Sequence, residues 1–113
     1  RQGYLNDRKL AADFIRFARE HRDSGPQLIR RKLRAAGVED TVIEDELSAG
    51  YPDGLEEETA ERLVRRKIRS GVRRDRETRR IHGLLSRRGF SVPVINDICS
   101  RIVKGEIRGE HDE

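Results

Sequence analysis

Residues 29–47, "IRRKLRAAGVEDTVIEDEL", decide how the rest of the chain is read. Ile29 and Leu33 lie four apart, the spacing that brings two side chains onto one face of a helix. Gly37 supplies the left-handed residue that ends such a helix. Val42, Ile43 and Leu47 then start a second helical stripe. Helix, glycine turn, helix is also the outline of a helix-turn-helix DNA reader, whose second helix enters the major groove. Here that helix carries Glu39, Asp40, Glu44, Asp45 and Glu46. Pushing it between two phosphate backbones is repulsive. The shape is therefore read as a packing motif, and sequence reading in a DNA groove is not expected from it.

The same pattern returns 52 residues later as "IHGLLSRRGFSVPVINDIC", 81–99. Ile29 falls on Ile81, Leu33 on Leu85, Gly37 on Gly89, Val38 on Phe90, Ile43 on Ile95 and Leu47 on Cys99. Upstream, with an offset of 48, Ala12 and Ile15 fall on Ala60 and Leu63, which implies a four-residue expansion within the later copy. Gly3-Tyr4 returns as Gly50-Tyr51. Self-similarity at such a period marks a helical repeat array. Each copy holds three helices: about 7–22, 26–36 and 40–49, then about 56–70, 77–88 and 92–103. Ser24 and Ser91 are candidate caps, each beside an early proline. No stretch alternates with a period of two, so no sheet is expected. The reading is all-α: a tandem repeat of two three-helix units, elongated and curved. Residues 1–6 would end a preceding unit, 7–50 and 51–104 form the two units, and 105–113 form a polar tail without fixed order.

The chain has 113 residues, of which 41% are charged and 4% aromatic. That balance borders on disorder, but the apolar residues are patterned, which implies a thin helical core. No methionine is present and the sequence opens on Arg1, so it is read as a piece of something longer. No apolar run is long enough to span a membrane. One cysteine, Cys99, excludes an internal disulfide and suits a reducing cytoplasm. The net charge of +4 hides segregation: residues 39–61 hold 10 acidic and no basic side chains, and residues 62–88 hold 12 basic and 2 acidic. Blocks of this kind shape partner choice more than the total does.

On the first helix of the second unit, Leu63, Val64 and Ile68 take one side. Arg62, Arg65, Arg66, Arg69 and Arg73 take the other, as a ridge read as lacking acidic neighbours one turn away. Arg80 and Arg87 share an outer stripe with Gly83, and Arg30, Arg31 and Arg34 point away from Ile29 and Leu33. A charge run is most often a solvated face. Near-pure arginine, however, suits carboxylate and phosphate recognition. These ten arginines are the candidate partner-binding residues.

Convergent catalytic groups are missing from the pattern. Cys99 sits on an apolar stripe and reads as a small core residue. His21 reads as packed at the Phe14/Ala18 face, His82 as exposed, and His111 lies in the tail. No metal-ligand spacing occurs, and "GYPDG" at 50–54 is a turn rather than a phosphate loop. Glu46 interrupts an apolar stripe; its carboxylate is read as reaching outward or pairing with a nearby arginine, with contact to a partner as the lesser alternative. No catalytic, metal or cofactor site is expected.

With the repeat established, the chain resembles the bacterial regulatory protein RecX family. The resemblance rests on "YLNDRKLAADFIRFARE" from Tyr4, on "GPQLIRRKLRAAGV", and on "RRIHGLLSRRGFSVPVINDI", in that order and spacing. The family is built of three three-helix units; two are found here, corresponding to the C-terminal two. The resemblance implies a non-enzymatic, monomeric regulator that enters the groove of the RecA–DNA filament and suppresses ATP hydrolysis, strand exchange and co-protease activity. The residues alone stop at a basic helical repeat that binds something polyanionic. Two readings stay open: a RecA filament modulator, and a binder of single- or double-stranded DNA backbones acting without RecA.

Overall fold

A computed structural model describes residues 4–108. Gly3, residues 109–113 and His111 among them lie outside the described residues. Within these bounds the chain forms six helices and no strand: α1 (Tyr4–Arg22), α2 (Pro26–Ala35), α3 (Asp40–Gly50), α4 (Leu55–Lys67), α5 (Arg74–Arg87) and α6 (Val92–Val103). The apolar stripes gather into two separate cores. Ala11, Ile15 and Ala18 of α1 meet Ile29 and Leu33 of α2 and Val42, Ile43 and Leu47 of α3. Ala60, Leu63 and Val64 of α4 meet Ile81 and Leu85 of α5 and Val94, Ile95, Ile98 and Ile102 of α6. Two small cores side by side make the molecule long, 55 × 22 × 21 Å. Its radius of gyration is 15.8 Å, against about 13 Å for a compact domain of similar length.

The repeat is visible bond by bond. After α2, Ala36, Gly37 and Val38 donate their N–H groups to the carbonyls of Lys32, Arg34 and Leu33 at 3.0, 3.0 and 3.1 Å. After α5, Arg88, Gly89 and Phe90 donate to Leu84, Ser86 and Leu85 at 3.0, 3.1 and 3.1 Å. Gly37 and Gly89 hold φ of 90° and 85°, the conformation that glycine adopts without a Cβ penalty. In both units the bonds satisfy helix-end carbonyls and turn the chain into the next helix.

Four expectations are corrected. The α4 helix stops at Lys67, because Ser70-Gly71 breaks the periodic run and Gly71 takes φ 73°. Arg69 and Arg73 therefore leave the helix, and the five-arginine ridge is not one helical face. Ser24 does not cap α2: the N-cap is Gly25, and Ser91, although the N-cap of α6, makes no side-chain cap bond. Of the two residue pairs expected to match in the first helices, Ile15 and Leu63 are both buried, but Ala12 is exposed where Ala60 is buried, and Ala11 takes the core position instead. The tail is not wholly polar surface: Ile107 is 3% exposed and packs in the second core, and Glu106 donates its N–H to the Arg101 carbonyl at 2.8 Å. Burying one isoleucine outweighs the polarity of its neighbours.

Candidate partner-binding surface

The arginines of the expected ridge are present at the surface, but most carry carboxylates. Arg65 pairs with Glu61 one turn earlier at 2.9 Å, so an acidic neighbour does lie at i−4. Arg62 and Arg66 both reach Asp23, across from the first unit, Arg62 at 3.5 Å. Arg73 pairs with Asp75 at 3.0 Å, and Arg69 and Arg80 with Glu77 at 3.6 and 2.6 Å. On α2, Arg30 grips Glu44 through Nε and Nη2 at 2.6 and 3.0 Å, and Arg34 pairs with Asp40 at 3.0 Å. Exposed pairs of this kind contribute about 0–1 kcal/mol each. Of the ten candidates, Arg31 and Arg87 are exposed and have no carboxylate partner among the described residues. Glu46 behaves as expected, meeting Arg8 at 3.0 Å.

Glu77 differs from the rest because it is 2% exposed. It accepts from Arg80 through Nε at 3.0 Å and from the Arg69 backbone N–H. The Arg80 hydrogen bond is the main cause holding its carboxyl below the ordinary value, against the opposing effect of burial. Glu77 thus fastens the α4–α5 turn. Arg69 and Arg80 are drawn inward to it, which explains why a stripe drawn on a helical wheel is not a free stripe on the protein.

The two units meet through backbone. Gly25 and Gln27, at the start of α2, donate their N–H groups to the carbonyls of Arg88 and Gly89 at 2.7 and 2.8 Å. Orphan donors of one helix start are satisfied by orphan acceptors of another helix end. The approach is close: a Cβ on Gly25 would lie 2.5 Å from the Gly89 carbonyl carbon, and one on Gly89 would lie 2.2 Å from the Leu28 nitrogen. Arg88 donates from Nη1 to the Arg22 carbonyl at 2.5 Å. Asp23 is buried at φ 48°, the one non-glycine residue with positive φ among the described residues, and its carboxylate takes Arg66 and Arg62 from the other unit. Aspartate tolerates that conformation better than most residues. Tyr51 adds a hydrogen bond from its hydroxyl to the Ser24 carbonyl, and burial pushes its pKa up.

This junction leaves a cleft of about 410 Å³. Arg22, Lys32, Arg66, Lys67 and Arg88 line it, with Asp23 as its carboxylate. Only Arg66 belongs to the expected set. Arg22, Lys32, Lys67 and Arg88 lie off the arginine stripes, because a stripe on one helix does not show a cleft formed between two units. A usable signal existed: none of the five has an acidic residue three or four positions away. Arg30 shares that property yet finds Glu44 through the fold, so the signal selects candidates without deciding among them.

The other singled-out residues stand apart from this surface. Cys99 is half-buried, burial raises its thiol pKa, and Sγ faces the Thr78 carbonyl at 3.9 Å. His82 is exposed. His21 is exposed as well, rather than packed in the core, and lies 5.1 Å from the Phe17 ring. Among the described residues no group of three His, Cys, Asp or Glu is placed to hold a metal, and no helix is long and apolar enough to cross a membrane.

Comparison with known proteins bears on all of this. Residues 6–47, the first unit, match the family model described as RecX, second three-helix domain. A regulatory protein RecX of Bacillus pumilus is 30% identical over 112 residues, covering 97% of this chain and 42% of that protein. One from Mycobacterium avium is 32% identical over 113 residues, covering 97% of this chain and 62% of that protein. The crystal structure of RecX from Lactobacillus salivarius matches with a TM-score of 0.73 at 26% identity, over 88% of this chain and 63% of that one. The chain thus spans 42% to 62% of the length of these curated relatives.

Proposed function

The chain belongs to the RecX family, and from that premise we propose that it is a non-enzymatic regulator that binds the RecA–DNA filament and suppresses the recombinase, ATPase and co-protease activities of RecA. The observation that carries the reading is an elongated, arginine-covered repeat in a family of regulatory proteins. A body 22 Å across suits a groove, and a basic surface suits one lined by carboxylates or phosphates. The protein acts in the cytoplasm as a monomer.

Within the ten arginines the contact is led by Arg31 and Arg87, which bring charge that no carboxylate among the described residues offsets. Arg30, Arg34, Arg65 and Arg73 contribute by exchanging a weak exposed pair for one with the partner, while Arg62, Arg66, Arg69 and Arg80, held by the buried carboxylates of Asp23 and Glu77, add charge without giving up those pairs. Reversing Arg66 is a poor probe, because it strands the buried Asp23 charge. Co-sedimentation with RecA filaments on single-stranded DNA tests the proposal. The chain should pellet with filaments in a saturable way, and Arg31→Glu/Arg87→Glu should stay in the supernatant while remaining helical by circular dichroism. Equal pelleting of the reversal would remove these two residues from the contact. Pelleting with DNA alone to the same extent as with filaments would favour the second reading, a backbone binder independent of RecA, which the junction cleft supports.

A further inference from the structure

We propose that the junction cleft is a single-stranded nucleic-acid site, in which Arg22, Lys32, Arg66, Lys67 and Arg88 hold the phosphates and Phe17 stacks a base. The inference rests on the second reading above, a backbone binder acting without RecA, and deepens it by naming the site and the kind of strand; it does not depend on RecA regulation. Three observations carry it. The first is charge: five cations surround one carboxylate, and that carboxylate, Asp23, is already taken by Arg62 and Arg66. Lys32 and Lys67 have no carboxylate partner among the described residues. The second is rigidity. The walls are set by the Gly25 and Gln27 bonds to Arg88 and Gly89, by Arg88 on the Arg22 carbonyl and by the Arg66–Asp23 pair. A ligand therefore meets an ordered site and spends little on arranging it.

The third is aromatic. A smaller cleft of about 90 Å³ shares Arg22, Ser24, Leu28 and Lys32 with the first and is bordered by Phe14 and Phe17. Phe17 is 48% exposed, in a protein with few aromatics. It takes no part in the core, and instead lies against His21 and beneath the Arg22 guanidinium, 5.4 Å from the ring centroid. A cationic groove leading to an exposed ring is the arrangement by which proteins hold single strands without reading sequence. A duplex keeps its base faces stacked and offers Phe17 nothing. The site exists only where the two units meet, so neither core alone forms it.

The test is fluorescence anisotropy of the full chain with a labelled thymidine oligonucleotide, an abasic strand of equal length and a duplex. Wild type should prefer the thymidine strand to the duplex. Lys32→Glu/Lys67→Glu should lose at least about tenfold in affinity for both single strands at low salt. Arg76→Glu/Arg79→Glu, with the same change in net charge on exposed α5 positions, should lose less. The neutral Lys32→Gln/Lys67→Gln should lower the salt slope by about 1.4, two contacts at about 0.7 each. Phe17→Leu, which keeps apolar bulk, should lose about tenfold on the thymidine strand and nothing on the abasic strand. Binding by Lys32→Glu/Lys67→Glu equal to that of the α5 control would overturn the phosphate site. Wild-type affinity of Phe17→Leu for the thymidine strand would overturn the stacking site. If the lysine reversal keeps its DNA affinity but no longer pellets with RecA filaments, the cleft holds an acidic protein segment and the proposal fails.

Discussion

The turn at Gly37 and the turn at Gly89 have the same backbone bonds and the same sign of φ, yet they sit in opposite surroundings. A Cβ on Gly37 would meet nothing within 4 Å, while one on Gly89 would collide with Leu28. The first glycine is there for conformation alone. The second is there for conformation and for contact, because its turn is the surface on which the start of α2 rests. A repeat therefore carries two kinds of information. Local spacing writes the turn twice, and the neighbouring unit decides which copy becomes a joint.

The largest expected effect separates those roles. Gly89→Ala should cost about 3 kcal/mol or more, combining left-handed strain with a backbone clash. Gly37→Ala should cost about 1–2 kcal/mol from strain only. Urea denaturation of both measures the difference, and equal losses would mean that the junction is not close-packed. Next comes Ile107, by which the second core borrows a residue from beyond α6. Ile107→Ala should cost about 2 kcal/mol, the low end for a buried isoleucine because a site outside a helix can partly collapse. A melting temperature unchanged within a degree would return this segment to the surface.

A smaller contrast lies between two carboxylates that arginines hold below the ordinary value, Glu77 through Arg80 and Glu44 through Arg30. A carboxyl depressed in the folded state stabilises the protein above its unfolded value, and the contribution is lost as pH falls through the folded one. Stability should therefore drop as pH falls through about 4.3, where unfolded glutamate is half protonated, and keep falling through the lower folded value. Glu77→Gln should cost about 1–3 kcal/mol at pH 7 and flatten that acid limb, since it removes a buried charged acceptor. Glu44→Gln, at an exposed position, should cost less than about 1 kcal/mol and leave the limb nearly unchanged. Denaturation at pH 7 and pH 3.5 separates the two, and identical acid limbs would show that Glu77 is not buried as described.

Local chemistry made much of this readable in advance. The stripe Val94, Ile95, Ile98 and Ile102 and the glycine after α5 place α6 at Val92–Val103, the span that spacing suggests. Ile29, Leu33, Ile43, Leu47, Ile81, Leu85 and Ile95 are buried as their periodicity implies, with Cys99 half-buried. What escaped was non-local. Arg66 finds its partner 43 residues away at Asp23, and Arg30 finds Glu44 14 residues away. No helical wheel shows such pairs, although Glu61, four residues before Arg65, was legible as its local partner; the ridge that looked bare is largely neutralised. Lys32 and Lys67 looked unremarkable because the cleft they share is made by the joint, and the joint is made by backbone groups that every residue possesses. Ile107 was hidden by its polar neighbours, since one apolar residue has no period.

The central claim, that this chain regulates RecA through its basic surface, is tested most directly by ATP hydrolysis. RecA turnover on single-stranded DNA is followed while wild type or Arg31→Glu/Arg87→Glu is titrated in. Hydrolysis should fall with wild type to a plateau, and the reversal should shift half-inhibition at least about tenfold, as two lost charged contacts of about 0.7–1 kcal/mol each would give. Hydrolysis that stays level at concentrations where wild type pellets with the filament would contradict the account.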